Sequence, residues 1–472
     1  MNYKHSICWI RRDLRIADQH ALAAAKQNSE MVTVAFVFDT NILSKLEDKN
    51  DRRLTFIHNA LQELHTKLQS KGSQLIVLEG DPAVEIPKAA KILQVDAVYA
   101  NMDFEPYAKK RDQKVHEALK DMGCFFHLLK DHVMFAGLEV KKQDGDPFKV
   151  FTAYKNQWLK QLKTEDSWNI TYNKDNFTNH RKLKAFSRDW TLKDLGFQKN
   201  TLWIPSGEVE AKFRLKRFSG VLKDYNAARN FPWNEKGYSG LSAHLRFGTI
   251  SIRACVREVL QNRSEGARVW LSELIWRDFY HMILDQFPHV VDSPFKKDYK
   301  DIKWPGSDEN FEKWCVGQTG YPIVDAAMRH FNKTGWMHNR LRMIVAMFLC
   351  KDLLVDWKKG EKYFARYLLD FDLAANNGGW QWCSSTGCDA QPYFRVFNPS
   401  LQSARFDADG QYIREHCPEL QGFSNKLIHS PWKASMEEQK KANCIIGKQY
   451  PAPIVDHAIQ REKVMRLFKK NV

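Results

Sequence analysis

The sequence contains no Gly-x-Gly-x-x-Gly, no Gly-x-x-x-x-Gly-Lys-Ser/Thr, no Gly-x-Ser-x-Gly and no His-Glu-x-x-His. Their absence removes support for the common dinucleotide fold, the phosphate loop, the serine-hydrolase elbow and the zinc peptidase. Nine cysteines are an odd number, and no two stand in Cys-x-x-Cys spacing. Neither a disulfide framework nor a zinc ribbon is expected. No apolar run reaches the roughly 18 residues of a membrane span. The start, MNYKHSICWI, lacks the basic and apolar regions of a secretory leader. The expectation is a reduced, cytoplasmic chain with no membrane partner and no bound metal.

What is present begins with size and charge. At 472 residues, two or three domains are expected. The net charge of +16 is uneven: residues 1–131 hold 19 Lys/Arg against 18 Asp/Glu, so nearly all the excess lies downstream. Clustered basic residues suggest a polyanion partner, because they displace counterions from phosphates. Ordinary solubilising charge is the plainer alternative. Nine of the 15 tryptophans fall between Trp270 and Trp432. They suit a packed core, a stacking platform or an electron relay, and composition does not choose among these.

Residues 1–131 alternate β-rich runs with helical periodicities. Strands are predicted over 7–10, 32–38, 74–78, 97–100 and 125–129, with helices over 21–26, 53–70, 82–93 and 108–122. This alternation predicts an α/β domain with a doubly wound parallel sheet, whose ligand loops lie beyond the carboxyl ends of the strands. Those loops are 11–15, 39–42, 80–82 and 101–107. Residues 132–200 read as a basic connector with one helix over 150–162. From 201 to 472 helices are predicted over 208–230, 252–261, 269–287, 322–334, 339–354 and 361–369. That part is expected to be all-α.

Four segments could carry chemistry. On the helix over 269–287, Glu273, Trp276, Arg277 and Tyr280 share a face. An acid, an aromatic plane and a guanidinium suit a heterocycle; a Glu273–Arg277 surface pair beside a buried tryptophan is the plainer alternative. Asn339, Arg342 and Met343, with Arg340 adjacent, crowd the polar end of an apolar helix, as a site or as capping groups. In Asp370–Trp382, two carboxylates, two asparagines and a Gly-Gly pair precede aromatics. The glycines would let backbone approach a flat ligand, or Asp370 or Asp372 caps a helix. In Tyr238–Ser251, hydroxyls and a glycine precede a helix, which suits a phosphate as well as an ordinary cap.

In this order, the segments resemble the DNA photolyase/cryptochrome family over nearly the whole chain. The resemblance is carried by WIRRDLRIADQHAL at 9–22, GDPFKVFTAYKNQWL at 145–159, ELIWRDFY at 273–280 and TGYPIVDAAMR at 319–329. It continues through TGWMHNRLRM at 334–343, KDLLVDW at 351–357, DLAANNGGWQW at 372–382 and FNP at 397–399. The similarity is strongest to the class I enzymes that repair cyclobutane pyrimidine dimers.

The resemblance implies a folded, non-covalent FAD in the helical domain, active in its reduced form. Its implied contacts are Tyr225, the turn of Tyr238, Ser239, Gly240, Leu241 and Ser242, then Trp270, Arg277, Arg342, Asp370, Phe371, Asp372 and Asn376. Asn376 would lie near the flavin N5. Contacts to the lesion or DNA are implied for Arg229, Glu273, Trp276, Arg277, Asn339, Arg340, Met343, Trp382 and Gln402. Glu273 would hydrogen-bond the thymine edge. Trp380, Trp357 and Trp304 match the family's relay for photoreducing the flavin. Tyr238 departs from the usual threonine, which removes one side-chain phosphate contact.

An antenna chromophore is implied as well. DFEPYAKKRD at 103–112 and VFDTNIL at 37–43 resemble the deazaflavin-type members, and Tyr107-Ala108 replaces the Asn-Glu pair often used for methenyltetrahydrofolate. A deazaflavin-like or other flavin antenna is favoured over the folate, with Asp39, Arg53 and Glu105 as contacts. The chain then divides into an antenna-binding domain (1–131), a connector (132–200) and an FAD-binding catalytic domain (201–472), acting on dimer-containing DNA as a monomer. A cryptochrome photoreceptor, a (6-4) photolyase and a light-independent DNA-binding flavoprotein are the rivals. Asn376 and the short carboxyl end argue against the first, and Asn339 and Met343 against the second. His338 reads as a satisfied polar residue, and Cys383 and Cys388 as buried thiols.

Overall fold

Five runs rich in valine, isoleucine and phenylalanine lie side by side as parallel strands in the computed structural model, which describes residues 3–163, 170 and 174–469. They are β1 (Tyr3–Ile10), β2 (Ser29–Asp39), β3 (Leu75–Gly80), β4 (Ala97–Asn101) and β5 (Phe125–Leu129), in the order β3-β2-β1-β4-β5. Trp9 stands opposite Ala35 on β2 and Ala100 on β4, so small neighbours accommodate the indole. Parallel neighbours need crossovers, and helices His20–Asn28, Arg52–Gln69, Pro82–Leu93 and Pro106–Lys120 supply them. Central β1 is buried at every residue but Lys4, whereas edge strand β5 is partly exposed throughout. This is the doubly wound α/β fold, and a mostly helical region follows it.

The chain packs as two compact units. The first comprises the stretch ending at Phe148 with Thr152–Gly220 and Ser239–Gln286; the second comprises Lys149–Phe151, Val221–Tyr238 and the stretch beginning at Phe287. In the first, Asp131 accepts from Arg15 (2.7 Å) and Arg253 (2.5 Å), all three almost fully buried. Arg253 also reaches Asp18 at 2.9 Å. This network ties the end of the sheet region to helix Ile252–Leu260. In the second, one apolar cluster runs through helices Pro322–Thr334 and Asn339–Met347 and includes Trp314, Trp357 and Trp380.

Two predicted helices are broken. The run over 208–230 stops at Ser219, where Gly220 follows; a 3-10 turn, Leu222–Asp224, and a short helix, Tyr225–Ala228, come after it. The run over 339–354 is α-helical to Met347 and then widens into a π-helical turn, Phe348–Asp352, whose five residues are all buried. Periodicity does not reveal either break, because the apolar spacing continues through both. Residues 164–169 and 171–173, part of the predicted connector, lie outside the described residues. Among the described residues no helix is long and apolar enough to cross a membrane.

Candidate active site

In the first unit, the candidate residues ride on helix Glu265–Gln286. Glu273, Trp276, Arg277 and Tyr280 are all half-buried, while Leu271, Leu274, Ile275, Asp278 and Phe279 are buried. The 3.6-residue period thus separates a packed face from a polar and aromatic one. The rings of Trp276 and Tyr280 lie 5.4 Å apart, tilted by 34°. Arg277 donates to the His132 carbonyl (2.6 Å) and to His132 Nε2 (2.6 Å), which fixes the guanidinium. Trp270 is buried with its ring edge-on to Phe218.

Asp278 was not singled out by the sequence reading. Its Oδ2 accepts from Met134 N (3.0 Å), Phe135 N (3.3 Å) and Trp158 Nε1 (3.1 Å). Burial raises its pKa against these donors. An acid on the apolar face of this helix was the available signal: Leu271, Leu274 and Asp278 are spaced three and four apart. Asp278 orients the helix that presents Glu273.

The turn before Ser242–Phe247 fits backbone binding better than side-chain binding. Gly240 has φ +68°, and a Cβ there would sit 2.6 Å from Arg214 Nη1. The positive φ favours glycine, and any larger residue would also have to displace the end of the Arg214 side chain. Ser239 Oγ accepts from Leu241 N at 3.3 Å. The three antenna candidates are already engaged. Asp39 accepts from Tyr107 Oη at 2.6 Å, Arg53 binds Asp51 at 2.5 Å, and Glu105 binds Arg12 at 2.9 Å. Asp39 ends β2 and Glu105 follows β4 by four residues, so both stand at carboxyl ends of the sheet.

In the second unit, Arg342 donates to the Met337 carbonyl (2.9 Å) and to Asp370 Oδ2 (2.8 Å). Asp370 Oδ1 is buried and has no hydrogen-bond partner among the described residues. A buried carboxylate oxygen without a donor is costly. A ligand N–H or O–H would satisfy it. Two residues on, Asp372 caps helix Leu373–Ser384 by accepting from Ala375 N at 3.1 Å. Asn376 donates to Glu361 Oε1 at 2.8 Å, and burial raises the Glu361 pKa. A Cβ on Gly379, one turn beyond Asn376, would meet nothing within 4 Å. Asp370, Asp372, Asn376 and Gly379 together offer a buried acceptor and an open backbone face, which fits a flat heterocycle with polar edges. Phe371 packs on the central cluster.

Tyr225 is buried under the Arg229 guanidinium (5.5 Å), and Tyr238 lies on Trp336 (4.8 Å) and near His338 (6.0 Å). The phenol at 238 therefore serves packing. Arg340 donates to Asn230 Oδ1 (2.6 Å) and sits 4.4 Å above Phe406. Its pKa is lowered by burial and by the nearby Arg229 and Arg405. Three guanidinium groups gathered in this way attract a polyanion, and Arg405 is an addition to the residues singled out in sequence. Asn339 is exposed, and Met343, Trp382 and Gln402 are half-buried.

The three relay candidates grade from core to margin. Trp380 and Trp357 are buried in one cluster, and Trp304 is half-buried beside it. Trp380 is fixed by Phe364 (5.1 Å) and Trp314 (6.1 Å). A Cβ on Gly360 would stand 2.2 Å from the Trp380 ring, so the glycine makes room for the indole. All nine cysteines are buried, and burial pushes the Cys383 and Cys388 thiols up to about 12.

His338 caps helix Asn339–Met347 by accepting from Arg340 N at 3.1 Å. Burial, helped by Arg340, Arg342 and Arg229, pulls its pKa down to about 3. A neutral folded histidine resists protonation, so its stabilising effect is complete above the unfolded value near 6.5 and declines as the pH falls below it. His338→Asn keeps a capping oxygen. Thermal melts should show the wild type losing its advantage over this variant between pH 7 and pH 5.

Two family models match the chain: one for the FAD binding domain of DNA photolyase over residues 270–470, and one for DNA photolyase over residues 6–170. A deoxyribodipyrimidine photo-lyase from Synechococcus sp. is 40% identical over 98% of this chain and 96% of its own length. A bacterial class III photolyase from Agrobacterium tumefaciens has a similar structure, with a TM-score of 0.90 at 30% identity, covering 100% of this chain and 98% of that one. An archaeal photolyase from Sulfolobus tokodaii, with two FAD molecules, gives 0.82 at 30% over 99% and 100%. A Synechocystis cryptochrome gives 0.87 at 26% over 99% of each.

Proposed function

Because the chain belongs to the DNA photolyase family, we propose that it is a light-driven repair enzyme for cyclobutane pyrimidine dimers in DNA. The observation that carries this reading is the spare buried oxygen of Asp370 beside Arg342, on the open face formed with Asn376 and Gly379. Bound there in its reduced form, FAD would supply light absorption and the single electron that opens a cyclobutane ring. Tyr225, Trp270, Arg277, Phe371 and Asp372 complete its contacts in this reading, with the backbone of the 239–242 turn toward its phosphates.

The remaining roles belong to the chain. Arg229, Arg340 and Arg405 hold backbone phosphates, which positions DNA without reading its sequence. Trp276 and Trp382 offer apolar planes to a dimer flipped out of the duplex, and weakened stacking at the damage lowers the cost of flipping. Asn339, Met343 and Gln402 are further contacts to the lesion or DNA in this reading. Glu273 hydrogen-bonds the edge of the pyrimidine pair in this reading. Trp380, Trp357 and Trp304 relay an electron inward. In this division residues 1–131 hold a flavin-like antenna, 132–200 connect, and 201–472 perform repair. The protein works as a cytoplasmic monomer. The two FAD molecules of the Sulfolobus tokodaii photolyase support a flavin as the antenna, for which Asp39, Arg53 and Glu105 are the contacts in this reading.

An absorption spectrum followed by illumination with a dimer-containing oligonucleotide tests the proposal. Flavin bands and light-dependent loss of dimers are expected. A protein that binds FAD and leaves dimers intact in light would instead be a photoreceptor, as the cryptochrome likeness allows. Glu273→Ala should lower repair at least tenfold with flavin content unchanged; losing one charge-assisted hydrogen bond, about 1.5–3 kcal/mol, sets that scale. Full repair by this variant would remove Glu273 from the mechanism.

A further inference from the structure

At the π-helical turn Phe348–Asp352, two adjacent side chains grip helix His457–Lys469 near its two ends. Asp352 Oδ1 lies 2.6 Å from His457 Nδ1. Lys351 is wholly buried; its Nζ donates to Ser385 Oγ (2.8 Å) and to the Tyr393 carbonyl (3.3 Å), and stands 4.2 Å from the Phe468 ring centroid. Phe468, also wholly buried, sets its edge against Trp304 at 6.0 Å. Phe468 therefore separates a buried amine from the outermost tryptophan of the relay. An amine is an expensive choice for packing alone, since a buried lysine without a carboxylate destabilises its own charged form.

We propose that the Lys351 amine, acting across the Phe468 ring, sets how readily Trp304 gives up an electron. Lys351 is thus a positioning residue for the relay, a role that rests on the reading of Trp304 as its outer member. The two measured separations place Nζ within about 10 Å of the Trp304 ring. A positive charge at that range opposes electron loss, and in a protein interior the effect is about tenfold in the equilibrium. The step balances within the chain: Trp304 passes one electron to the oxidised relay tryptophan next to it, and without an added donor that electron returns.

Burial lowers the Lys351 pKa to about 7, with Lys296 adding to the effect and Cys350 and Cys383 opposing it. The amine is charged below neutrality and neutral above it. Asp352, the next residue, is raised by burial to about 6 and is engaged by His457. Above neutral pH, Trp304 should therefore be the easier donor.

Flash excitation of the full-length, flavin-loaded protein reads this directly through the tryptophan radical. In the wild type the radical lifetime should lengthen about tenfold between pH 5.5 and pH 8.5. Lys351→Met should be long-lived and flat with pH, and Lys351→Arg short-lived and flat. A second readout is independent of light. With its pKa below the unfolded value near 10.4, Lys351 lowers wild-type stability most at pH 7 and below, and less as the pH rises. The Tm of Lys351→Met should thus exceed that of the wild type by a margin that shrinks from pH 7 to pH 9.5. Parallel melting curves, or a wild-type pH profile in the Lys351→Met radical, would overturn the proposal. Trp304→Phe should abolish the long-lived radical; if the radical persists in that variant, the relay reading itself fails.

Discussion

Asp370→Ala is expected to purify with little or no flavin and to need at least tenfold more FAD for half-saturation. The substitution removes the unpartnered Oδ1 that a ligand donor would satisfy, and it releases Arg342 from its 2.8 Å contact. Hydrogen bonds to a charged group are worth about 1.5–3 kcal/mol each, so one lost bond gives tenfold or more. Arg342 is 29% exposed at its side chain, so water can solvate it and the fold should survive. Fluorescence titration with FAD checks the prediction, and a thermal melt of the flavin-free protein separates binding from folding. Asp370→Asn retains an acceptor oxygen and should lose less. An alanine variant that holds a full complement of flavin would remove the observation on which the proposed function stands.

The largest loss of stability should come from the other unit. Asp131→Ala strands the guanidinium of Arg15 and leaves that of Arg253 with Asp18 as its one carboxylate, both arginines being 2% exposed at their side chains. Breaking a buried ion pair from one side costs about 3–5 kcal/mol, because the remaining charge has no water to turn to. Arg253 keeps Asp18, so the stranded charge on Arg15 sets the size of the loss. The network also gives the protein a signature in acid. Burial alone would raise the Asp131 pKa, but Arg15 and Arg253 outweigh it and hold the carboxyl well below the usual carboxylate range. A depressed folded pKa stabilises fully above the unfolded value near 3.9 and ceases to do so as the pH falls toward the folded one. Denaturant melts of wild type and Asp131→Ala should therefore differ most above pH 5 and draw together below pH 4.

The sheet was readable in the sequence from the apolar cores of its strands, whereas the polar starts of β1 (Lys4, His5, Ser6) and β2 (Ser29, Glu30) hid their first four and three residues. Residues 97–100 and 125–129 were placed within a residue of β4 and β5. Helix Pro322–Thr334 was likewise predicted to its ends, since Pro322 opens it and Gly335 closes it. The face carrying Glu273, Trp276, Arg277 and Tyr280 followed from spacing alone. Its meaning did not: spacing shows that the residues are neighbours, and only the family resemblance suggested a lesion as the thing they would touch. Asp278 was missed because an acid on an apolar face has no local partner in sequence, and its donors stand more than a hundred residues earlier. The π-turn at 348–352 was missed because one extra residue in a helical turn leaves an apolar run unchanged.

The burial of all nine cysteines has a consequence for a protein that works in sunlight. Sulfur oxidation and alkylation both proceed through exposed thiolate, and here each cysteine is at most 9% exposed. The native molecule is thus chemically quiet toward peroxide formed near an illuminated pigment, although it carries sulfur beside its tryptophans. Once the fold opens, nine reactive groups become available together, and the reaction of a coloured thiol reagent becomes a clock for that opening.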